Sequence, residues 1–265
     1  MSKQYMQQAF QKVLDRGDKA FVPYIMAGDG GLDSLEEKVR FLEESGATVL
    51  ELGVPFSDPV ADGPTIQEAG IRALKHGVSL RAILEKLEQF KESRSIPIVL
   101  MTYLNPIYAY GVEAFAEACR TSGVSGLIIP DLPLEEENMV TRQLQANNIA
   151  LIRLASLTSP PERLKELAKR TEGFLYAVTV TGTTGARSAF QDNLQEHLAS
   201  LKNICQAPVL AGFGVSTPDH VKQLSANCDG VVVGSKIVDA LHQNNREEIK
   251  KLIAAASSKE QATAE

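Results

Sequence analysis

The sequence is poor in the residues that disulfide frameworks, metal sites and membrane spans require. It has no tryptophan, four histidines and three cysteines in 265 residues. Cys119, Cys205 and Cys228 are far apart and form no CxxC pair, which excludes a disulfide framework and favours a reducing compartment. No apolar run approaches the roughly 18 residues of a membrane span, and the first residues lack the apolar core of a signal peptide. We therefore expect a soluble, cytoplasmic protein that does not bind membranes.

An excess of positive charge is also absent. Lys and Arg number 27 against 33 Asp and Glu, which gives a formal net charge of −6. This balance argues against a broad cationic face for nucleic acid or anionic lipid. A single phosphate remains compatible with it, because backbone N–H groups at a helix start can bind one without any net charge.

Eight short apolar runs alternate with amphipathic stretches of helical period, and this alternation indicates the fold. The spacing of the runs is roughly 30 residues, the length of a strand with its return helix. The pattern predicts a single (β/α)₈ TIM barrel over residues 1–265, whereas a doubly wound open sheet, the alternative, usually has five or six strands. The runs begin at Phe21, Thr48, Ile96, Ser125, Ile149, Gly173, Ala207 and Gly230.

The ends and one interval depart from this regular alternation. Residues 1–18 predict an extra amphipathic helix that ends at Gly17, and residues from about 255 to 265 are expected to fray. The interval between the second and third runs is long, and it predicts a loop followed by two helices.

Function in a barrel of this kind resides at the carboxyl ends of the strands, and several chemistries lack their residues there. No predicted strand core contains the lysine that a Schiff base needs. No strand-end serine or cysteine stands beside a histidine, which argues against a nucleophilic triad. All four histidines fall in helical segments, so we predict no metal site; they are His76, His197, His220 and His242.

Carboxylates remain as the candidate catalytic groups. Glu51 stands in "TVLELGV", where alternation places it inside the barrel with Val49 and Gly53. Burial raises the pKa of a carboxyl and suits it to acid and base work near neutrality. The alternative is a structural ion pair, for instance with Arg153. Eleven positions later Asp62 lies in a stiff loop that can carry it toward Glu51, although a simple Asx turn at Asp62 is an equal alternative.

Glycine-bearing strand ends indicate a phosphate site. Gly212 and Gly214 follow the seventh run, and Gly234 and Ser235 start a helix after the eighth. Barrels commonly bind phosphate in these two loops, although such glycines also serve plain turns. The loop "TVTGTTGARS" after the sixth run predicts a mobile lid whose Thr184 and Gly185 close over the ligand. Large apolar or aromatic side chains at the strand ends predict a pocket for a flat apolar ligand, or else ordinary barrel core; they are Tyr24, Leu100, Tyr103, Ile128 and Tyr176.

The sequence resembles the α-subunit family of tryptophan synthase. The resemblance rests on "LELGVPFSDPVADGPTIQ" and on six further motifs in the family's order, which are "PYIMAGD", "VLMTYLNPI", "GVSGLIIPDLPLEE", "YAVTVTGTTGAR", "APVLAGFGVST" and "GVVVGSKIV". It implies a lyase that splits indole-3-glycerol phosphate into indole and glyceraldehyde 3-phosphate by a retro-aldol reaction. Glu51 matches the family's acid/base, and Asp62 matches the carboxylate that engages the indole N–H.

The same resemblance implies the remaining site residues. For the pocket these are Tyr24, Leu100, Tyr103, Ile128, Tyr176 and Phe213, which Thr184 of the predicted lid joins, and for the phosphate they are Gly185, Gly214, Gly234 and Ser235. The match at Tyr103 involves a shift of one residue. The family works as an α₂β₂ complex in which indole passes to a β subunit that carries pyridoxal phosphate, so no cofactor is expected in this chain. Positions that match partner contacts are Pro55, Asp58, Asn105 and Pro133.

Two departures and three alternatives stay open. Gly30 stands where the family often has proline, and a glycine there would loosen its loop. Arg153 is a charged residue where an apolar residue or proline is expected.

The alternative functions are a standalone indole-releasing lyase, another sugar-phosphate barrel such as an isomerase or epimerase, and a non-catalytic phosphate-binding barrel. The last would keep the glycine loops without needing Glu51 and Asp62.

Overall fold

Eight parallel strands close into a barrel in a computed structural model that describes residues 2–179, 187–212 and 214–258, with the backbone alone for 187–193. Each strand pairs with the next along the chain, and the last pairs with the first through Ala20 opposite Gly230. Closure confirms the predicted (β/α)₈ barrel, because an open doubly wound sheet keeps two unpaired edges. The strands are β1 (Ala20–Met26), β2 (Leu50–Gly53), β3 (Ile98–Met101), β4 (Val124–Ile128), β5 (Ala150–Ser156), β6 (Leu175–Val178), β7 (Val209–Gly212) and β8 (Gly230–Val233).

The helices surround the barrel in the predicted order. Two lie between β2 and β3, as the long interval predicted, and a short helix that the sequence did not reveal follows β3. The helices are α1 (Lys3–Leu14), α2 (Leu35–Glu44), α3 (Pro64–Lys75), α4 (Leu80–Gln89), α5 (Leu104–Tyr110), α6 (Val112–Thr121), α7 (Asn138–Ala146), α8 (Pro161–Arg170), α9 (Arg187–Ile204), α10 (Pro218–Ser225), α11 (Ser235–His242) and α12 (Arg246–Ala254). Single 3₁₀ turns occupy Leu32–Ser34, Lys91–Ser93 and Leu134–Glu136.

Alternation along each strand sorts the core into an inner and an outer layer. Val22, Val49 and Val99 pack inside the barrel, in one cluster with residues of β4 to β8. Leu50 and Leu52, one position away on β2, pack outward against the surrounding helices. Glu51 shares the inward face of β2 with Val49, which is the orientation predicted for it.

Helix α1 closes the barrel at the amino ends of the strands, as the predicted extra helix. Met6 and Phe10 are fully buried within the inner cluster, and the Phe10 ring meets Phe174 edge-on with 5.6 Å between centroids. The helix is held in place by the Lys3 ammonium, which lies 2.7 Å from the Glu172 carboxylate. With this end filled by side chains, a ligand can enter only at the opposite mouth.

Residues 255–258 lie at the same end of the barrel. Ala255 and Ala256 are buried, and the Ser258 amide donates to the Asp18 carboxylate at 2.9 Å. These contacts hold the first part of the segment that was expected to fray, and residues 259–265 lie outside the described residues.

Candidate active site

Glu51 is the buried acidic group at the open mouth of the barrel. It is 1% exposed, and its Oε2 atom is buried with no hydrogen-bond partner in the described part of the chain. Burial and, secondarily, the nearby charge of Asp62 raise the pKa of Glu51 from 4.5 to about 8. A carboxyl of this kind holds its proton at neutral pH and can release it to a reacting carbon.

Asp62 is carried to the same place by the loop between β2 and α3. The Tyr103 hydroxyl donates to the Asp62 carboxylate and accepts the Ala61 amide at 3.0 Å. The Tyr103 ring stacks on Phe56 of the same loop with 5.2 Å between centroids. These contacts fix the loop over the mouth, so the carboxylate is engaged by a distant tyrosine rather than by an Asx turn.

The environments of the two carboxylates differ, and so do their proton affinities. Asp62 is half-buried, and burial raises its pKa to about 6 while the Tyr103 hydroxyl opposes the rise. At neutral pH Glu51 is therefore mostly protonated and Asp62 mostly ionised. Two carboxyl groups with separated pKa values can divide acid and base roles between them.

Three tyrosines surround this pair. Tyr24 and Tyr176 are 5% and 8% exposed. Burial, together with the Glu51 charge, raises the pKa of each well above its usual value. The Tyr176 ring lies over Gly212, where a Cβ would overlap it. Burial raises the pKa of Tyr103 to about 12. All three stay protonated at physiological pH and offer hydroxyl groups beside the carboxylates.

Leu100 requires a correction, because its side chain faces away from the mouth. It belongs to the outer layer with Leu52 and Ile98 and is fully buried there. Met101, the next residue, is half-buried and packs with Tyr24 and the inner cluster. Met101 is the residue of β3 that lines the site, and the uniformly apolar run around it gives no sequence signal that separates it from Leu100. Ile128 does face inward, as predicted.

Arg153 leaves the barrel on its outer side and does not approach Glu51. Its guanidinium pairs with the Glu137 carboxylate at 2.7 Å, and both side chains are 10% exposed. It also donates to the carbonyl oxygen of Leu151 at 3.1 Å and to that of Arg170. Arg153 therefore forms no ion pair with Glu51, and the pKa of Glu51 is raised by burial and by the Asp62 charge.

Gly30 lies in a loop that is pinned rather than loose. Its φ of +83° is one that proline cannot adopt, which accounts for the departure at this position. The adjacent Asp29 receives two hydrogen bonds from Arg72, at 2.7 and 2.8 Å, and its carbonyl oxygen receives one from Lys38.

The candidate phosphate residues lie at the ends of β7 and β8. Gly214 is exposed with a φ of +80°, and Gly234 precedes the exposed Ser235 that begins α11. The first amides of a helix are free to bind an anion, and the helix dipole favours negative charge there. The other predicted ligand contacts, Thr184, Gly185 and Phe213, lie outside the described residues.

Three of the four candidate partner residues are exposed. These are Asp58, Asn105 and Pro133, whereas Pro55 is buried. The Asp131 carboxylate accepts the Leu104 amide at 2.9 Å and so joins the loop after β4 to α5. Sequence reasoning missed two exposed apolar residues in these same segments, Val60 at 83% and Tyr108 at 45%.

Metal-ligand clusters and membrane-spanning helices are both absent from the described part of the chain. Among the described residues, no three His, Cys, Asp or Glu side chains converge as a metal site would require. No helix in those residues is both long and apolar enough to cross a membrane.

Comparison with known proteins gives a consistent result. The sequence profile described as tryptophan synthase alpha chain matches residues 10–264. The chain is 52% identical over 248 residues to proteins of that name from Bacillus thuringiensis subsp. konkukian and Bacillus anthracis, which covers 94% of this chain and 96% of each relative.

Solved structures give the same relationship. The tryptophan synthase subunit alpha of Legionella pneumophila superposes with a TM-score of 0.87 at 32% identity, over 97% of this chain and 98% of that one. A chain of tryptophan synthase from M. tuberculosis gives a TM-score of 0.86 at 31% identity, over 95% and 98%.

Proposed function

Because the chain belongs to the tryptophan synthase alpha chain family, we propose that it splits indole-3-glycerol phosphate into indole and glyceraldehyde 3-phosphate. The observation that carries this proposal is the buried Glu51, with a pKa of about 8, beside a second carboxylate with a pKa of about 6. A retro-aldol cleavage of this substrate needs a proton donor, a proton acceptor and a stabiliser of positive charge, and these two groups can fill the three roles.

Glu51 is proposed to carry the proton. It delivers its proton to C3 of the indole ring and takes the proton of the adjacent side-chain hydroxyl. The bond between C3 and the hydroxyl-bearing carbon then breaks, its electrons return to the ring, and the hydroxyl carbon becomes the aldehyde. The net change is one proton moved from oxygen to carbon, which leaves Glu51 protonated for the next turnover. Acid/base catalysis of each kind contributes roughly 10²–10⁴-fold.

Asp62 is proposed to accept a hydrogen bond from the indole N–H. Protonation at C3 places positive charge on the ring nitrogen, and an ionised carboxylate held there stabilises it. The Tyr103 hydroxyl and the stacked Phe56 support this role, because they hold the loop that carries Asp62.

The rest of the mouth suits the two ends of the substrate. Tyr24, Met101, Ile128 and Tyr176 line it with apolar and aromatic surface for the indole ring. The start of α11 at Gly234 and Ser235, with Gly214, is proposed to hold the phosphate. Thr184, Gly185 and Phe213 are proposed to complete the pocket on the strength of their motifs.

A partner belongs to the same proposal. Asp58, Asn105 and Pro133, with Val60 and Tyr108 in the same segments, are proposed to contact a β subunit in an α₂β₂ complex. Pro55, which is buried, is proposed to shape the loop beneath that contact. Pyridoxal phosphate is expected in the partner and no cofactor in this chain, and the free cysteines agree with a cytoplasmic location.

The test is indole release from indole-3-glycerol phosphate by the purified chain, alone and with a β subunit. We expect slow release alone and a marked rise with the partner, because docking at Asp58 would hold the loop that carries Asp62 in its working position. Glu51→Gln and Asp62→Asn should each lose at least 100-fold in kcat, in line with the contribution of a positioned acid or base. Glu88→Gln, at an exposed position on α4, serves as the matched control and should leave the rate unchanged.

The outcomes separate the alternatives. Fast release without the partner would favour the standalone lyase, and no release in either setting would refute the retro-aldol assignment. Retained phosphate-ligand binding with no turnover in the unsubstituted chain would favour the non-catalytic barrel.

A further inference from the structure

Tyr24 reaches into the mouth through a space that a glycine leaves open. Tyr24 pairs in register with Glu51 across β1 and β2, and Gly53 lies two residues beyond Glu51 on the same inward face. A Cβ at Gly53 would overlap the Tyr24 hydroxyl oxygen and the ring carbons beside it. The phenol therefore lies directly against the bare backbone of Gly53, and its hydroxyl group is set above Glu51 at the end of β2.

The surroundings of this side chain divide into an apolar and a polar half. The ring is held by an apolar cluster, which consists of Met26, Ile66, Ala69, Ala73, Met101 and Val238. After burial, the groups that raise the pKa of the Tyr24 hydroxyl are, in order of effect, Asp62, Glu51 and the tyrosines at 103 and 176. The packed ring leaves the phenol little freedom to move, and its hydroxyl group lies at the mouth, where the charges of Asp62 and Glu51 act on it.

Asp62 has one hydroxyl donor among the described residues. Tyr103 donates to it from the β3 side, and a carboxylate accepts several hydrogen bonds. Tyr24 approaches from β1, the opposite neighbour of β2. Because the Tyr24 hydroxyl stays protonated at physiological pH, it can donate a hydrogen bond to an ionised carboxylate, which can only accept one.

We propose that Tyr24 is a positioning residue whose hydroxyl donates to the Asp62 carboxylate, directly or through one ordered water. With Tyr103 it forms a two-sided clamp that holds Asp62 ionised and aimed over the barrel mouth. The role in catalysis rests on the proposed function, whereas the contact itself does not. Removal of the hydroxyl raises the pKa of Asp62 and lowers the fraction of enzyme with the carboxylate in its working form and place.

The first experiment is the pH dependence of kcat/KM for indole formation in the complex with the β subunit. Tyr24→Phe should move the acid limb upward by about half a pH unit or more and reduce kcat roughly tenfold, with KM nearly unchanged, since a hydrogen bond to a charged group is worth about this factor. Tyr5→Phe is the matched control, because it also deletes one hydroxyl hydrogen bond, to the Ser95 carbonyl oxygen, far from the mouth. An unmoved acid limb in Tyr24→Phe would overturn the proposal.

The second experiment does not depend on activity. A double-mutant cycle of Tyr24→Phe and Asp62→Asn is measured by chemical denaturation at pH 4.5 and pH 8. A positioning contact predicts a coupling of about tenfold in the unfolding equilibrium at pH 8, where Asp62 is ionised, and little at pH 4.5. If Tyr24→Phe lowered the unfolding free energy equally in the wild-type and Asp62→Asn chains at both pH values, the hydroxyl would serve packing alone and the proposal would fail. If the unsubstituted complex releases no indole, the proposed function fails and this cycle alone decides on the contact.

Discussion

Glu51 should make the folded chain less stable as pH rises, and its replacement by glutamine should remove that dependence. The folded state keeps the Glu51 proton up to a pH of about 8, whereas the unfolded chain releases it near 4.5. Between these values folding must recover a proton from solvent, so a raised pKa gives stability that is complete below 4.5 and is lost as pH rises toward 8.

The magnitude follows from the size of the pKa difference. Each pH unit in this window costs about 1.4 kcal/mol, so at pH 7 the penalty is on the order of 3 kcal/mol. The glutamine introduced by Glu51→Gln has the same shape and does not titrate. Its buried amide carries a constant cost at every pH, because it sits where Glu51 Oε2 has no described partner. The slope against pH, rather than the offset, is therefore the diagnostic quantity.

The assay is urea denaturation of the wild-type chain and Glu51→Gln at pH 5, 6, 7 and 8 and constant ionic strength. The difference in unfolding free energy should move in favour of the variant by about 1.4 kcal/mol per pH unit and level off above pH 8. Glu88→Gln, whose carboxyl is exposed in both states, should give a flat difference. A flat difference for Glu51→Gln would refute the reasoning, since it would show that folding does not raise the pKa of this carboxyl.

Other contacts of the site and the core lead to four further expected outcomes. The profile of kcat/KM should fall below about pH 6 as Asp62 gains a proton and above about pH 8 as Glu51 loses one, and Asp62→Asn should remove the acid limb. Arg153→Met should cost about 3 kcal/mol by chemical denaturation, because Glu137 would stay buried with only Arg170 beside it; a loss below about 0.5 kcal/mol would contradict this. Met6→Ala should cost about 2–5 kcal/mol through the cavity left under the barrel, while the exposed Met139→Ala should cost almost nothing. Gly53→Ala should lower kcat at least tenfold by displacing Tyr24, whereas Gly70→Ala, whose Cβ would meet only Met26 Cε at 3.6 Å, should keep full activity.

The orientation of Glu51 could be predicted because a charge in a strand breaks the apolar pattern and marks its own face. Leu100 could not be separated from Met101 in this way. Strands of a barrel with helices around it are buried on both faces, so "IPIVLMT" is apolar throughout and its composition marks neither face. A shift of one residue then exchanges the inward and outward sets. The direction of Arg153 depended on Glu137, sixteen positions earlier on another element, which no local pattern reveals.

The shape of the mouth depends on pairs of residues from neighbouring strands. Tyr24 of β1 occupies the space above Gly53 of β2, and Tyr176 of β6 occupies the space above Gly212 of β7. In each pair the tyrosine ring occupies space that a Cβ on the neighbouring strand would fill. The space left for a ligand therefore depends on two glycines that need not contact the ligand. A sequence shows such glycines as possible turns, because only the assembled barrel brings each one beneath its tyrosine. The same arrangement sets the hydroxyl of Tyr24 beside Glu51 and Asp62, so that one glycine shapes the pocket and positions a polar group within it.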